Sequence, residues 1–341
     1  MRIKNRILVV GSGFAGSTIS NILAENGYEI DLIDKRDHVG GNAYDYEDPS
    51  GIRIHKYGPH IFHTNNYRVV NFLSRFTNWI PYKHKVKALL ENGEFVTFPP
   101  NKETFEKIGA ENIEKVLFRP YSKKMWGLPL DKLDKSIINR IPIRKDLNEF
   151  YFPKDKFQKM PKNGYTKLFE NLLDNPSINL NLKTEFDKSM ERNYHHIFNS
   201  MPIDEYYEFQ YGELPYRSIK FHHKIVNKQN VFPTAQINFT DNKKFTRVIE
   251  WKNFPLHGKS KNTILTYEEP CDYKDNFMER YYPVKDLEGE NRKLYNKYSR
   301  IKNKKTTFIG RCGMYVYIDM HQAVSSSMAT ANKFLKKNKN I

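Results

Sequence analysis

Of 341 residues only two are cysteines, Cys271 and Cys312, and this excludes a disulfide framework and a cysteine-based metal cluster. No run of about 18 apolar residues occurs, so no membrane-spanning helix is expected. Apolar residues make up 39% of the chain and mean hydropathy is −0.73, the balance of a soluble protein. The start, Met1-Arg-Ile-Lys-Asn-Arg6, leads straight into Ile7-Leu-Val-Val10 and then a glycine loop. A signal peptide would end its apolar stretch at a small-residue cleavage site, so a cytoplasmic protein is expected. Helix-turn-helix, zinc-finger and RNP-type motifs are also missing. Nucleic acid is therefore not the expected partner, although the formal charge is +17. The lysines are scattered among many asparagines, and an anionic nucleotide substrate accounts for part of that charge. The length suits one large domain or two to three closely packed ones.

What is present begins at residue 6. Arg6-Ile-Leu-Val-Val10 is a β-branched run without polar alternation, as expected of a strand buried on both faces. It enters Gly11-Ser12-Gly13-Phe14-Ala15-Gly16, a G-x-G-x-x-G. A helix is expected over 15–26, ended by Gly27, and Glu29-Ile-Asp-Leu-Ile33 makes a second strand ending in Asp34. Gly11 permits the tight turn, Gly13 admits a pyrophosphate, and Gly16 allows close helix–strand packing. Free N–H groups at the helix start suit phosphate. Asp34 stands where an acid binds ribose hydroxyls. Strand, loop, helix and acid together point to a bound dinucleotide.

The next residues favour FAD over NAD. Lys35-Arg-Asp-His-Val-Gly40-Gly41-Asn42 puts two glycines directly after the ribose acid, where the chain would pass close to a long cofactor. A second element lies near the far end. Thr306-Thr-Phe-Ile-Gly310-Arg311 reads as a strand ending in Gly-Arg. Asp319 and a helix over 321–336 follow. The dipole of that helix could face the flavin pyrimidine, which carries the negative charge of the reduced ring.

Lys56-Tyr-Gly-Pro-His60-Ile-Phe-His63-Thr64, following Gly40-Gly41-Asn42, resembles the UDP-galactopyranose mutase family. So do Tyr121-Ser-Lys-Lys-Met-Trp126-Gly127, Arg140-Ile-Pro-Ile-Arg144, Met160-Pro-Lys-Asn-Gly-Tyr165-Thr166 and Ile237-Asn238-Phe239-Thr240-Asp241. Phe245-Thr-Arg247-Val-Ile-Glu250, Tyr281-Tyr282-Pro283, and Gly310-Arg311 through Tyr317-Ile-Asp319-Met320 continue the match to the end. The resemblance implies an isomerase that interconverts UDP-galactopyranose and UDP-galactofuranose. It implies FAD that is active when reduced, with flavin N5 taking the anomeric carbon as a covalent adduct while UDP leaves and returns. The cofactor carries the hard chemistry, so neither a Ser/His/Asp triad nor a metal is expected. An external reductant, NAD(P)H or a flavin reductase, would supply the electrons, and a homodimer is one assembly the family allows.

Roles follow by resemblance. His63 packs beside the flavin, with His60 three residues before it. Tyr121 lies under the uracil and Trp126 near the sugar. Arg247, Tyr165, Tyr282 and Tyr317 grip the diphosphate, with Asp319 organising Tyr317 and Arg247. Asn238 contacts flavin or sugar hydroxyls, and Arg311 offsets flavin or phosphate charge. The expected cofactor set is Gly11, Gly13, Phe14, Ala15, Gly16, Asp34, Lys35, Gly41, Asn42, His60, Arg311, Asp319 and Met320. Arginine suits phosphate because its planar fork of donors binds two oxygens at once.

Two departures stand out. In Tyr151-Phe-Pro-Lys-Asp155-Lys156-Phe-Gln158 the family's mobile-loop arginine is replaced by Lys156, which keeps the charge and loses the fork. The stretch from Pro100 to Trp126 is also short, which reduces the helical region. The expected fold is α/β with three parts. A discontinuous Rossmann-like FAD domain takes 1–75 and 296–341, with a linker, mobile loop and FAD-domain return at 141–215. A reduced helical domain takes 101–140, and an antiparallel sheet domain takes 76–100 and 216–295. Alternatives are a mutase for another nucleotide-linked pyranose, an FAD-dependent oxidoreductase, and a non-catalytic binder of flavin or nucleotide sugar. Arg247 and the tyrosines favour a nucleotide diphosphate over an amine.

Overall fold

The computed structural model describes residues 5–134 and 144–338. Arg140 to Ile143 of the Arg140–Arg144 run thus lie outside the described residues, as do the last residues of the expected helical domain. The first sheet is parallel throughout, in the order β10 (Ile178–Asn181), β2 (Glu29–Ile33), β1 (Arg6–Val10), β11 (His196–Asn199), β17 (Thr306–Phe308). Its central strand is the apolar run seen in the sequence, and Ile7, Leu8 and Val9 are fully buried. From β1 the chain passes to β2 on one side, and β11 pairs on the other. That reversal opens a crevice beyond the carboxyl ends of the strands, where this class of sheet binds ligands.

Two helices cover one face of this sheet. Helix α1 (Phe14–Ala24) and the C-terminal helix, Met320–Asn338, share an apolar core in which Ile19, Leu23, Val324 and Ala331 are buried. The two ends of the chain therefore share one sheet and one core. Bounds differ slightly from expectation. Helix α1 stops two residues earlier, and the last helix starts at Met320. The Thr306 strand ends at Phe308, because Gly310 turns with φ +69° into a short helix, Gly310–Gly313.

The second sheet has seven strands. Their order is β16 (Tyr282–Pro283), β12 (Tyr216–Val226), β15 (Thr263–Asp272), β14 (Arg247–Glu250), β13 (Gln236–Phe239), β7 (Val86–Leu89), β8 (Phe95–Phe98). It is antiparallel except where β13 runs parallel to β7. Side chains alternate across it. Ile237, Val248 and Leu265 pack in a core of their own, while Asn238, Arg247 and Glu268 share a second face. A small three-stranded sheet, β5 (Phe62–Thr64), β9 (Phe157–Pro161) and β6 (Trp79–Pro81), sits between the larger ones. A hairpin of β3 (Asp45–Glu47) and β4 (Arg53–His55) completes the strands.

Helix α2 (Tyr67–Leu73) follows β5. In the shortened helical region α3 (Lys102–Ile108) is followed by a π-helical turn, Glu114–Phe118, and α4 (Arg119–Trp126). Helix α4 is held at both sides. Lys124 donates to the carbonyls of Phe239, Asp241 and Phe245 at the β13–β14 turn. Arg217 donates to the carbonyls of Lys124 and Met125, satisfying the last turn. These clamps fix Tyr121 and Trp126 against the second sheet.

Candidate active site

A long cavity runs along the carboxyl ends of β1 and β2. Its lining includes Asp34, Lys35 and Arg36, then Gly11, Gly13 to Gly16 and Gly40 to Asn42, then Gly310 to Cys312, and finally His60 with Ile318 to Met320. Asp34 is locked at its edge: Ser12 donates to Oδ2 from both its backbone and its hydroxyl, and the Arg36 N–H donates to Oδ1. Helix α1 starts without a side-chain cap, so its first N–H groups remain as donors beside the cavity.

The glycines separate two reasons for having no side chain. A Cβ on Gly16 would lie 1.9 Å from the Gly11 carbonyl oxygen, so protein packing demands glycine there. A Cβ on Gly13 would meet nothing closer than Gly41 Cα at 3.6 Å, and its φ of −77° suits any residue. The protein itself leaves room at Gly13, and the room belongs to the cavity. Such a cradle, with helix donors and a fixed acid at one end, fits the pyrophosphate and ribose of a dinucleotide. Arg36 and Glu279 form an ion pair of 2.5 Å, and both line the cavity.

At the other end the cavity adjoins a cationic, aromatic cluster. Arg311 lines the cavity, donates to the Tyr281 and Ile318 carbonyls, and lies 5.3 Å over the rings of both Tyr282 and Tyr317. Trp126 meets Tyr317 at 5.9 Å and Tyr282 at 6.3 Å, edge to face. Arg247 projects from β14, and its Nε donates to Glu268 Oε2 at 2.6 Å. Burial works against the Arg247 charge, but the Glu268 carboxylate and the Tyr121 and Tyr282 hydroxyls outweigh it. The guanidinium is held above its ordinary range. Burial likewise lifts the Tyr121 and Tyr282 hydroxyls, with Arg247 offsetting part of the rise, so both stay protonated donors. Burial lowers His60 to about 4; its hydrogen bond to the Gly58 carbonyl resists this, and the Arg311 and Arg247 charges add to it. His60 is therefore a neutral imidazole between two arginines. Phosphate oxygens entering here would meet fixed charge and protonated hydroxyls in a water-poor setting.

His63 lies on β5 at the loop before β9. Its Nδ1 is 2.6 Å from Asp155 Oδ2, and its ring stacks on Phe152 at 3.5 Å. Asn65 donates to the other Asp155 oxygen and accepts from the Lys156 backbone N–H. The loop is thereby tied to the histidine strand. Lys156 is exposed and stands one residue before β9, while Lys154 occupies the exposed turn at the loop tip.

The expected residues thus gather into two adjoining groups. Gly11, Gly13, Phe14, Ala15, Gly16, Asp34, Lys35, Gly41, Asn42, His60, Arg311, Asp319 and Met320 all line the cavity. Tyr121, Trp126, Asn238, Arg247, Tyr282 and Tyr317 collect around the β13–β14–β15 face. Tyr165 is a correction. It is fully buried against Phe14 and His55, and its hydroxyl donates to the His60 carbonyl. It shapes the His60 loop and has no free surface for a diphosphate. Sequence reasoning missed Glu268, Asp155, Arg36 and Glu279. Glu268 carried one signal: it is the first acid after the apolar and threonine-bearing run Thr263–Tyr267 of β15.

Comparison with known proteins gives a consistent result. The family model described as UDP-galactopyranose mutase matches residues 116–317, and an NAD(P)-binding Rossmann-like domain matches 9–76. A probable UDP-galactopyranose mutase of Klebsiella pneumoniae is 34% identical, covering 98% of this chain and 96% of its own. A dTDP-fucopyranose mutase of Escherichia coli is 32% identical, covering 98% and 100%. The crystal structure of a reduced UDP-galactopyranose mutase superposes with a TM-score of 0.77 at 16% identity, over 97% of this chain and 96% of that one.

Proposed function

The chain belongs to the UDP-galactopyranose mutase family, and from that premise we propose that it exchanges the pyranose and furanose rings of galactose carried on UDP, using FAD in its reduced form. It is a sugar-nucleotide mutase, an isomerase with a flavin cofactor. The observation that carries the finer reading is Arg311, which borders the dinucleotide cavity and the Arg247–tyrosine cluster at once. That adjacency supports a reading in which one end of a bound dinucleotide lies beside a diphosphate grip. A reduced FAD held by the Gly11–Gly16 cradle, Asp34 and Arg311 would supply a nitrogen nucleophile for the anomeric carbon.

The residues of the chain do the rest. Arg247 and the Tyr282 and Tyr317 hydroxyls hold the diphosphate so that the leaving nucleotide is retained for its return. Tyr121 offers a ring face to the base, and Trp126 walls the sugar. Asn238 holds a hydroxyl or flavin oxygen. Arg311 offsets the charge of the reduced ring. His63, stacked on Phe152 and bonded to Asp155, closes the side nearest the loop. The lysines of that loop contribute charge to the diphosphate without fixed direction. Electrons come from an external reductant, NAD(P)H or a flavin reductase.

The similarity of the dTDP-fucopyranose mutase, only slightly below that of the UDP-galactopyranose mutase, favours a second reading in which the sugar is 6-deoxygalactose on dTDP. One experiment separates the two. Dithionite-reduced enzyme is incubated with UDP-galactose, UDP-N-acetylgalactosamine, dTDP-fucose and a GDP-sugar, and furanose product is separated by anion-exchange chromatography. Product from UDP-galactose at the highest kcat/KM is expected. Preference for dTDP-fucose replaces the first reading by the second, and turnover with oxidised flavin at the same rate overturns the use of reduced FAD.

A further inference from the structure

A line of polar side chains leads across the Arg247 face of the second sheet to Asn238. The Tyr82 hydroxyl is 3.0 Å from His84 Nδ1. His84 Nε2 is 3.3 Å from Gln236 Oε1, and Gln236 Nε2 donates to Asn238 Oδ1 at 2.9 Å. His84, Gln236 and Asn238 are all buried, at 2%, 5% and 5% exposure. Neither Tyr82, His84 nor Gln236 borders the cofactor cavity. Gln236 and Asn238 are two apart on β13 and so share a face. Asn238 stands opposite Arg247, which stands opposite Glu268.

We propose that Tyr82, His84 and Gln236 are a relay of fixed polarity whose task is to hold Asn238 with its NH2 group, and not its carbonyl, toward the reacting sugar and flavin. The inference rests on the reading of Asn238 as a site residue. A neutral imidazole has one donor and one acceptor nitrogen. Burial lowers His84 to about 3, so the ring is neutral at any working pH. Gln236 Oε1 can only accept, which places the proton on Nε2. His84 Nδ1 is then bare and accepts a hydrogen bond from the Tyr82 hydroxyl. With its carbonyl spent on His84, Gln236 turns its NH2 to Asn238 Oδ1. The Asn238 carbonyl is consumed inside the sheet, and its NH2 is left for the site. Asparagine carries donor and acceptor on almost identical shapes, so packing alone cannot tell them apart; only a hydrogen-bond partner of known polarity can. Tyr82, His84 and Gln236 are therefore positioning residues. A donor there recognises an oxygen lone pair, on a sugar hydroxyl or a flavin carbonyl.

Two measurements test this on the FAD-loaded enzyme. Nitrogen-15 NMR of the His84 ring reads the tautomer directly and needs no turnover. A protonated Nε2 with bare Nδ1 is expected; a protonated Nδ1 reverses the relay and overturns the proposal. The second is a double-mutant cycle with reduced enzyme and UDP-galactose, or with dTDP-fucose if that is the better substrate. Gln236→Leu should lower kcat/KM about tenfold in the native background and less than about twofold in Asn238→Ala. Equal losses in both backgrounds would mean Gln236 acts through general packing, and the relay fails. If Gln236→Leu does not fold, Tyr82→Phe is carried through the same cycle with the same expectation. If Asn238→Ala alone is silent, the site reading of Asn238 falls, and the relay with it.

Discussion

Arg247 and Glu268 show how one side chain depends on another that the motif does not contain. Glu268 is 1% exposed, and one of its oxygens lies against Arg247 while the other is unpartnered among the described residues. Removing the arginine leaves a buried carboxylate without its counter-charge, a change that costs about 3–5 kcal/mol in stability. Arg247→Ala should therefore lower the melting temperature as well as kcat/KM, the latter by about a hundredfold on the scale where 1.36 kcal/mol is tenfold. Adding Glu268→Gln should recover much of the melting temperature and none of the activity. Thermal denaturation and steady-state kinetics of the reduced enzyme read the two effects separately. Near-normal kcat/KM in Arg247→Ala would mean that the substrate is held without a diphosphate grip at this position. A double variant as unstable as the single one would remove the unpaired charge as the cause.

At the scale of the element, the start of α1 makes a sharper claim than its motif. Gly13 and Gly16 look equivalent in a G-x-G-x-x-G, yet they answer to different neighbours. Gly16→Ala forces a methyl against the Gly11 carbonyl, and neither backbone can yield without moving β1 or α1. It should destabilise the apo-protein outright. Gly13→Ala meets only ordinary contacts and keeps an allowed φ, so the apo-protein should melt normally. Its methyl enters the cavity, and FAD affinity should fall at least about tenfold, by titration of apo-protein with FAD. Normal FAD binding by Gly13→Ala would mean that the pyrophosphate does not cross there. The same element shows the reach of sequence reading. Strand, loop, helix and Asp34 were legible because all their determinants lie in one continuous segment, residues 6–34. The role of Tyr165 was misread because its neighbours, Phe14, His55 and the His60 carbonyl, come from far along the chain.

At the scale of the whole molecule, buried histidines set a limit on acid stability. Burial lowers His60 and His257 to about 4 and His84 to about 3, against an ordinary value of 6.5. The unfolded chain takes up these protons below about pH 6.5 while the folded chain does not. Stability is thus fully present above 6.5 and is lost as pH falls toward 4. For His257 alone, 4% exposed, the loss by pH 5 is about 2 kcal/mol. The melting temperature should drop steeply between pH 6.5 and 4.5, and His257→Gln, which keeps a donor for the Arg53 carbonyl, should flatten that drop. A pH-independent melting temperature in this range would show that these rings gain protons without unfolding.

By itself the sequence determined the dinucleotide cradle, the family and most of the residues that gather at the site. Those features are carried by short motifs whose physics is local: a glycine turn, a helix start, an acid after a strand. Tertiary structure alone decided which partners complete them. Glu268 meets Arg247 only through the register of β14 on β15, and His84 meets Gln236 only because β7 runs beside β13. Arg36 finds Glu279 only when the segment before β16 folds back over the cofactor cavity. Each of these pairings depends on strand register or chain path across many residues, and a single residue of slip would turn every such side chain to the opposite face.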